Sequence, residues 1–203
     1  MFDCFIFDAD GTLFDTREAN LAGLRRLLLE EKGINFTAEQ MSAEFGRPGH
    51  QTLADFGFDD IQAAIIRWNV YLRESGHTTS PFDGVRETLA ALKASGKYIG
   101  IVTSRRHDEL EPDLRLFGLE ALVDLVVCSD DTLRHKPDPE PLLKFFELSP
   151  VAKERTIFIG DMECDSQCAA ATGTAFGLAA WGEVVDMPYL HRFAHPKEVM
   201  DLA

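Results

Sequence analysis

The sequence lacks a long apolar run. Nowhere in its 203 residues does a stretch approach the roughly 18 consecutive apolar residues that suggest a membrane span. Basic residues are also scarce. Lys and Arg number 20 against 34 Asp and Glu, for a net charge of −14. A chain this acidic repels nucleic acid and anionic membrane, so neither is an expected partner. A local cluster of cations can still receive an anionic small molecule. The first residues, MFDCFIFDADG, carry acids where a signal peptide needs bases and show no cleavage site, so a cytoplasmic protein is expected. There are four cysteines and no CxxC pair, which leaves a zinc site or a thioredoxin-like motif without support. Cys164 and Cys168 stand four apart and would share a helix face, as small packing residues.

What is present is an ordinary globular composition, 45% hydrophobic and 27% charged. Short apolar runs at residues 2–7, 98–103, 122–128, 156–160 and, most weakly, 174–178 read as strands. Helical spacing lies between them, at about 85–95, 107–117, 139–147 and 163–172. This alternation predicts an α/β fold with a mainly parallel, Rossmann-like sheet. One stretch breaks it. Between Asp15 and Pro81 the apolar residues recur only at helical spacing: Leu21, Leu24, Leu27 and Leu28, then Ile61, Ala64, Ile65, Trp68 and Leu72. Asp15, with Glu18 three residues on, reads as a helix start. Residues 16–80 are therefore expected to form an inserted helical domain, and residues 1–15 with 81–203 the catalytic core.

In open α/β sheets, ligands gather at the carboxyl ends of the strands. Here those ends carry Asp8 and Asp10; Thr103, Ser104 and Arg105; Ser129 to Asp131, with Lys136 beyond; and Asp161, with Asp165 four residues later. Several carboxylates, a hydroxyl and a cation suit phosphoryl transfer. Asp8, Asp161 and Asp165 offer the hard oxygen ligands that Mg²⁺ prefers. A carboxylate can attack phosphorus to form an acyl phosphate. Asp10 stands close enough to Asp8 to protonate the leaving oxygen and then deprotonate water. Thr103, Ser104, Gly11 and Lys136 are candidates to hold the phosphate. Taken singly, each has a bland reading: a turn acid, a helix cap, a solvated lysine. Their joint occurrence at strand ends is what chance explains poorly. In the insert, Glu44 to Thr52 (EFGRPGHQT) reads as a loop, with Arg47 and His50 giving it cationic reach toward a second anionic group.

At these residues the chain resembles the haloacid dehalogenase superfamily, and its phosphatases in particular. DADGTLFDT, IVTSR, HKPDP and IGDMECD match the family's four motifs in order. The resemblance implies a Rossmann-like core with a helical cap, Mg²⁺ as cofactor, Asp8 as nucleophile and Asp10 as acid/base. It also implies a metal held by Asp8, Asp161 and the Asp10 carbonyl, with Asp165 direct or through water. The phosphoglycolate phosphatase-like branch fits best, acting on a small phosphorylated metabolite, with Arg47, His50 and Arg105 as specificity candidates. Either a monomer or a homodimer is compatible. Dehalogenases of the family lack the second acid, present here as Asp10. Phosphonate-cleaving members use a cap lysine, and there is none between Lys32 and Lys93. A β-phosphoglucomutase-like transferase is the alternative, disfavoured by Asn20 where those members usually carry His. A receiver-type signalling domain is the outside reading, opposed by the acid pair after Lys136 and by the long insert.

Overall fold

The computed structural model describes residues 1–37, 40, 49–76, 79–182 and 187–203. Two compact units emerge, one from Met1–Asp15 with Ser80–Ala203 and one from Thr16–Thr79.

The first unit is built on β1 (Cys4–Phe7), β4 (Tyr98–Val102), β5 (Leu125–Val127), β6 (Thr156–Gly160), β7 (Ala175–Ala179) and β8 (His191–Phe193). Among the described residues these form one sheet in the order β5-β4-β1-β6-β7-β8, and every neighbouring pair is parallel. The order explains why β1 reads as an unbroken apolar run. It lies mid-sheet with both faces covered, so its alternate side chains enter two different cores. Phe5 and Phe7 pack with Ile99, Ile101, Ile157 and Ile159 under Leu89, Leu92, Leu110 and Leu114. Cys4 and Ile6 pack with Val102, Phe145, Phe158 and Cys168 on the other side. The helices α4 (Val85–Ala94) and α5 (His107–Leu116) thus cover one face. The helices α6 (Glu140–Leu148) and α7 (Glu163–Thr172) cover the other. All four lie within one residue of the bounds expected from the sequence. The Lys136–Pro137 peptide is cis.

Three details differ from expectation. The third strand is only Leu125–Val127, because residues 120–122 turn into a 3-10 helix whose Leu122 N–H bonds Leu119 O at 2.9 Å. The edge strand β8 gave no apolar signal, since only Phe193 of its three residues is buried. The third is a two-residue ribbon, too short for periodicity to reveal: β2 (Phe14–Asp15) pairs antiparallel with β3 (Ser80–Pro81). Asp15 is therefore in a strand and does not open a helix. Thr16 stands at that position, with no side-chain cap.

The second unit contains α1 (Arg17–Lys32), α2 (Gly49–Asp55) and α3 (Ile61–Glu74). Its own core joins Leu24, Leu27, Leu28, Leu53, Phe58 and Ala64. Asp60 caps α3 by accepting from Ala63 N–H at 3.0 Å, and α1 ends at Gly33 with φ 67°. Of the expected loop Glu44 to Thr52, residues 44–48, Arg47 among them, lie outside the described residues. Gly49 onward is helix, so His50 stands in α2 and not in a loop.

Gly100 sets the packing on the Cys4 face. A methyl added there would fall onto the ring of Phe145, which is fully buried. Overpacking of this kind typically costs about 1–3 kcal/mol. Gly100→Ala is expected to lower unfolding stability by that amount in urea titrations. An unchanged midpoint would show that the ring relocates freely.

Candidate active site

Asp8 follows β1 directly, and its N–H continues the ladder to Ile159 O at 2.8 Å. The next residues turn sharply. Leu13 and Phe14 N–H both bond Ala9 O at 2.9 Å, and Gly11 N–H bonds Phe14 O at 2.9 Å. Gly11 sits at φ 75°, where a side chain is strained, and a Cβ there would collide with the Asp161 carboxylate. The turn can therefore press against Asp161, to which Thr12 Oγ1 donates at 3.0 Å. Trp181 Nε1 holds the same turn by donating to Thr12 O at 2.9 Å.

Asp161 follows β6, and Asp165 lies in the first turn of α7, where it also accepts from Met162 N–H at 3.1 Å. Lys136, from the loop after β5, reaches between Asp8 and Asp165. Its Nζ donates to Asp8 Oδ1 at 2.7 Å and to Asp165 Oδ1 at 2.6 Å. All three side chains are almost completely shielded from solvent. Oxygens of Asp8, Asp161 and Asp165 lie within 4.8 Å of one another.

Thr103 N–H extends β4 toward Val127 O at 3.0 Å, and its buried hydroxyl accepts from Arg105 N–H at 3.2 Å. Ser104 is exposed beside it. Asp10 is not in contact with Lys136 in the way Asp8 is. Arg105 Nε donates to both of its oxygens at 3.0 Å, and Arg105 Nη2 to Oδ1 at 2.5 Å. The other arm of Arg105, Nη1, donates to Asp113 Oδ2 at 2.7 Å. Nothing in the sequence pointed to Asp113 or to the Thr12–Asp161 bond. Thr12 stands inside a motif, but Asp113 is a mid-helix acid of the most common surface type.

Burial dominates the electrostatics. It pushes the Asp8 carboxyl up to about 7, with Asp165 and Asp10 adding to the effect and Lys136 opposing it. Burial and then Asp165 and Asp8 raise Asp161 well above the usual carboxylate range. Burial works against the charge on Lys136, but Asp165 and Asp8 outweigh it and hold its pKa well above the ordinary lysine value. Three carboxylates around one ammonium leave a formal surplus of two negative charges. A single divalent cation cancels that surplus. The donors are all hard oxygens, so the residues fit Mg²⁺. The thiols are free, and Cys4, Cys128 and Cys168 are buried in the packing.

The model of the haloacid dehalogenase-like hydrolases matches residues 5–179. The chain belongs to this family. Among the hydrolases it resembles, pyrophosphatase PpaX of Bacillus velezensis is 30% identical over 177 residues, covering 87% of this chain and 82% of that protein. A Caldanaerobacter subterraneus protein, provisionally named pyrophosphatase PpaX, is 32% identical over 178 residues, or 87% and 80% of the two chains. In structure, a Lactobacillus plantarum protein provisionally described as a phosphoglycolate phosphatase superposes with a TM-score of 0.89, at 29% identity and over the full length of both chains. This haloacid dehalogenase-like hydrolase thus has the parallel sheet of its family with the acidic cluster at the sheet's carboxyl end. Among the described residues, no helix is long and apolar enough to cross a membrane.

A carboxyl whose folded pKa exceeds its unfolded value destabilises the fold once pH rises past the unfolded value. For Asp8 that loss begins near 3.8 and levels off above about 7. Asp161 shifts in the same direction. Asp161→Asn keeps an acceptor for Thr12 and removes one repelling charge. In EDTA at neutral pH this variant is expected to unfold at a higher temperature than the parent. Millimolar Mg²⁺ should stabilise the parent and not the variant. Equal melting shifts in both would separate the cation from this cluster.

Proposed function

We propose that the chain is a Mg²⁺-dependent phosphatase that hydrolyses a small phosphorylated metabolite through an aspartyl-phosphate on Asp8. The observation that carries the reading is the Asp8 carboxylate at the end of β1, bonded to buried Lys136 and crowded by Asp161 and Asp165.

Asp8 attacks phosphorus as the bond to the leaving oxygen breaks. Asp10 gives that oxygen a proton, then takes one from the water that attacks phosphorus and frees Asp8. Lys136 fixes one Asp8 oxygen at 2.7 Å, which orients the other for attack and balances the transferring charge. Thr103, Ser104 and Gly11 stand at the same end of the sheet as hydrogen-bonding partners for phosphate. Asp8, Asp161 and Asp165 would hold Mg²⁺, with the Asp10 carbonyl that the family pattern implies. When bound, Mg²⁺ supplies positive charge that neutralises the carboxylates and the phosphate dianion. The unit Thr16–Thr79 would serve as the cap that selects the substrate, through Arg47 and His50.

The substrate class is a phosphoglycolate-like compound or a sugar phosphate. Pyrophosphate is the second reading, favoured by relatives named pyrophosphatase at about a third identity. The mutase reading stays disfavoured. Asn20 replaces the usual His, and its carbonyl accepts from Trp68 Nε1 at 2.9 Å.

Asp8→Asn keeps the side-chain shape and removes the nucleophilic charge, so turnover should fall to background with the fold intact. Near-parental rates would overturn the covalent mechanism. Activity should also vanish in EDTA and return with Mg²⁺. A panel of pyrophosphate, phosphoglycolate and sugar phosphates, ranked by kcat/KM, decides the substrate class. A ranking led by pyrophosphate would displace the first reading.

A further inference from the structure

Arg105 is held at every point where it could move. Its N–H donates to Thr103 Oγ1 at 3.2 Å, and its carbonyl accepts from Ser129 N–H at 2.8 Å. The side chain is 11% exposed, and its guanidinium carbon lies 5.3 Å from the ring centre of Phe14. One edge grips both oxygens of Asp10 through Nε and Nη2. The remaining arm is tied to Asp113, on the far half of α5, at 2.7 Å. Burial opposes charge on any cation placed here, yet Asp10 and Asp113 together push Arg105 up beyond the range in which it could lose a proton. The cation is thus permanent, and its planar fork is fixed by two carboxylates on opposite sides.

We infer that Asp113 is a positioning residue of the reaction: it anchors Arg105, and Arg105 in turn sets where the Asp10 carboxylate stands relative to the leaving oxygen. This rests on the reading of Asp10 as the acid/base. It also gives Arg105 a task apart from substrate selection, since its donors already face Asp10 and Asp113. A guanidinium suits the task because it presents two parallel donors to one carboxylate and still has an arm to spare. A lysine ammonium would be a point charge without that geometry. Asp113 accepts from the arm of Arg105 that does not hold Asp10, so its effect on the reaction is expected to reach Asp10 through Arg105 and to fall on proton transfer.

Proton transfer matters most for poor leaving groups. The experiment is a leaving-group series, from p-nitrophenyl phosphate to alkyl phosphates, run on the full chain with Mg²⁺. The variants are Asp113→Ala, Asp113→Asn, Asp113→Glu, Arg105→Lys, Arg105→Lys with Asp113→Ala, and Asp10→Asn. Asp113→Ala should lower kcat on alkyl phosphates roughly 10- to 100-fold, the scale of a misplaced catalytic group, with KM little changed. The loss on p-nitrophenyl phosphate should be under about 3-fold, because that leaving group needs little protonation. Asp113→Glu should recover part of the loss. In the Arg105→Lys background, Asp113→Ala should add almost nothing, as expected of residues that act in series. Equal losses across the series, or additive losses in the double variant, would overturn the inference. Asp113→Asn, which keeps the shape, answers the same question should the alanine variant not fold. Asp10→Asn is the reference. If it shows no leaving-group dependence, the acid/base reading itself falls. If it does and the Asp113 variants do not, only the positioning role falls.

Discussion

One buried ammonium holds the functional end of this molecule together. Lys136 bonds Asp8 and Asp165, which lie 157 positions apart in the chain, and its charge opposes the effect of burial on the Asp8 carboxyl. Burying a charge is tolerable only with a partner and good geometry. Asp161 adds a third carboxyl group against this one ammonium, accepting from the Thr12 hydroxyl. The result is a site with a standing appetite for positive charge. The protein gives up stability to keep it, as functional sites commonly do.

The sheet explains how such distant groups meet. Because β1 is flanked by β4 and β6, Asp8 has the Thr103 strand on one side and the Asp161 strand on the other. Parallel pairing puts all three strand ends at the same edge. The apolar residues of β1 fix the register by dividing into two cores, so that a slip of one residue would exchange Phe5 and Phe7 with Cys4 and Ile6. The chemistry of the acidic edge is thus set by hydrophobic packing beneath it.

Much of this was legible in the sequence because the informative residues follow apolar runs. Asp8, Thr103 and Asp161 could each be placed at a strand end, and Lys136 and Asp165 came with them by spacing. What stayed hidden has a common cause: it depends on side-chain direction across long separations. Arg105 is legible as a strand-end cation, but the closing of its fork on Asp10 and Asp113 is not, because that pairing requires knowing how α5 lies over the Phe14 turn. Short elements were lost for a different reason. The β2–β3 ribbon and β8 contribute too few buried side chains to produce a period. The helix at Gly49–Asp55 was obscured by the glycines and proline just before it, which mark a break in the chain but do not say how soon the next helix begins.

The β2–β3 ribbon has an architectural meaning. Asp15 pairs with Ser80 across it, so the chain leaves the sheet-bearing unit and re-enters it at one and the same place. As far as the sheet is concerned, everything from Thr16 to Thr79 hangs from a single clasp. Strand order, register and the acidic edge are all closed on the near side of that clasp. A change in the length or surface of the helical segment therefore leaves the hydrogen bonding of the sheet, and the acidic edge it carries, as they are.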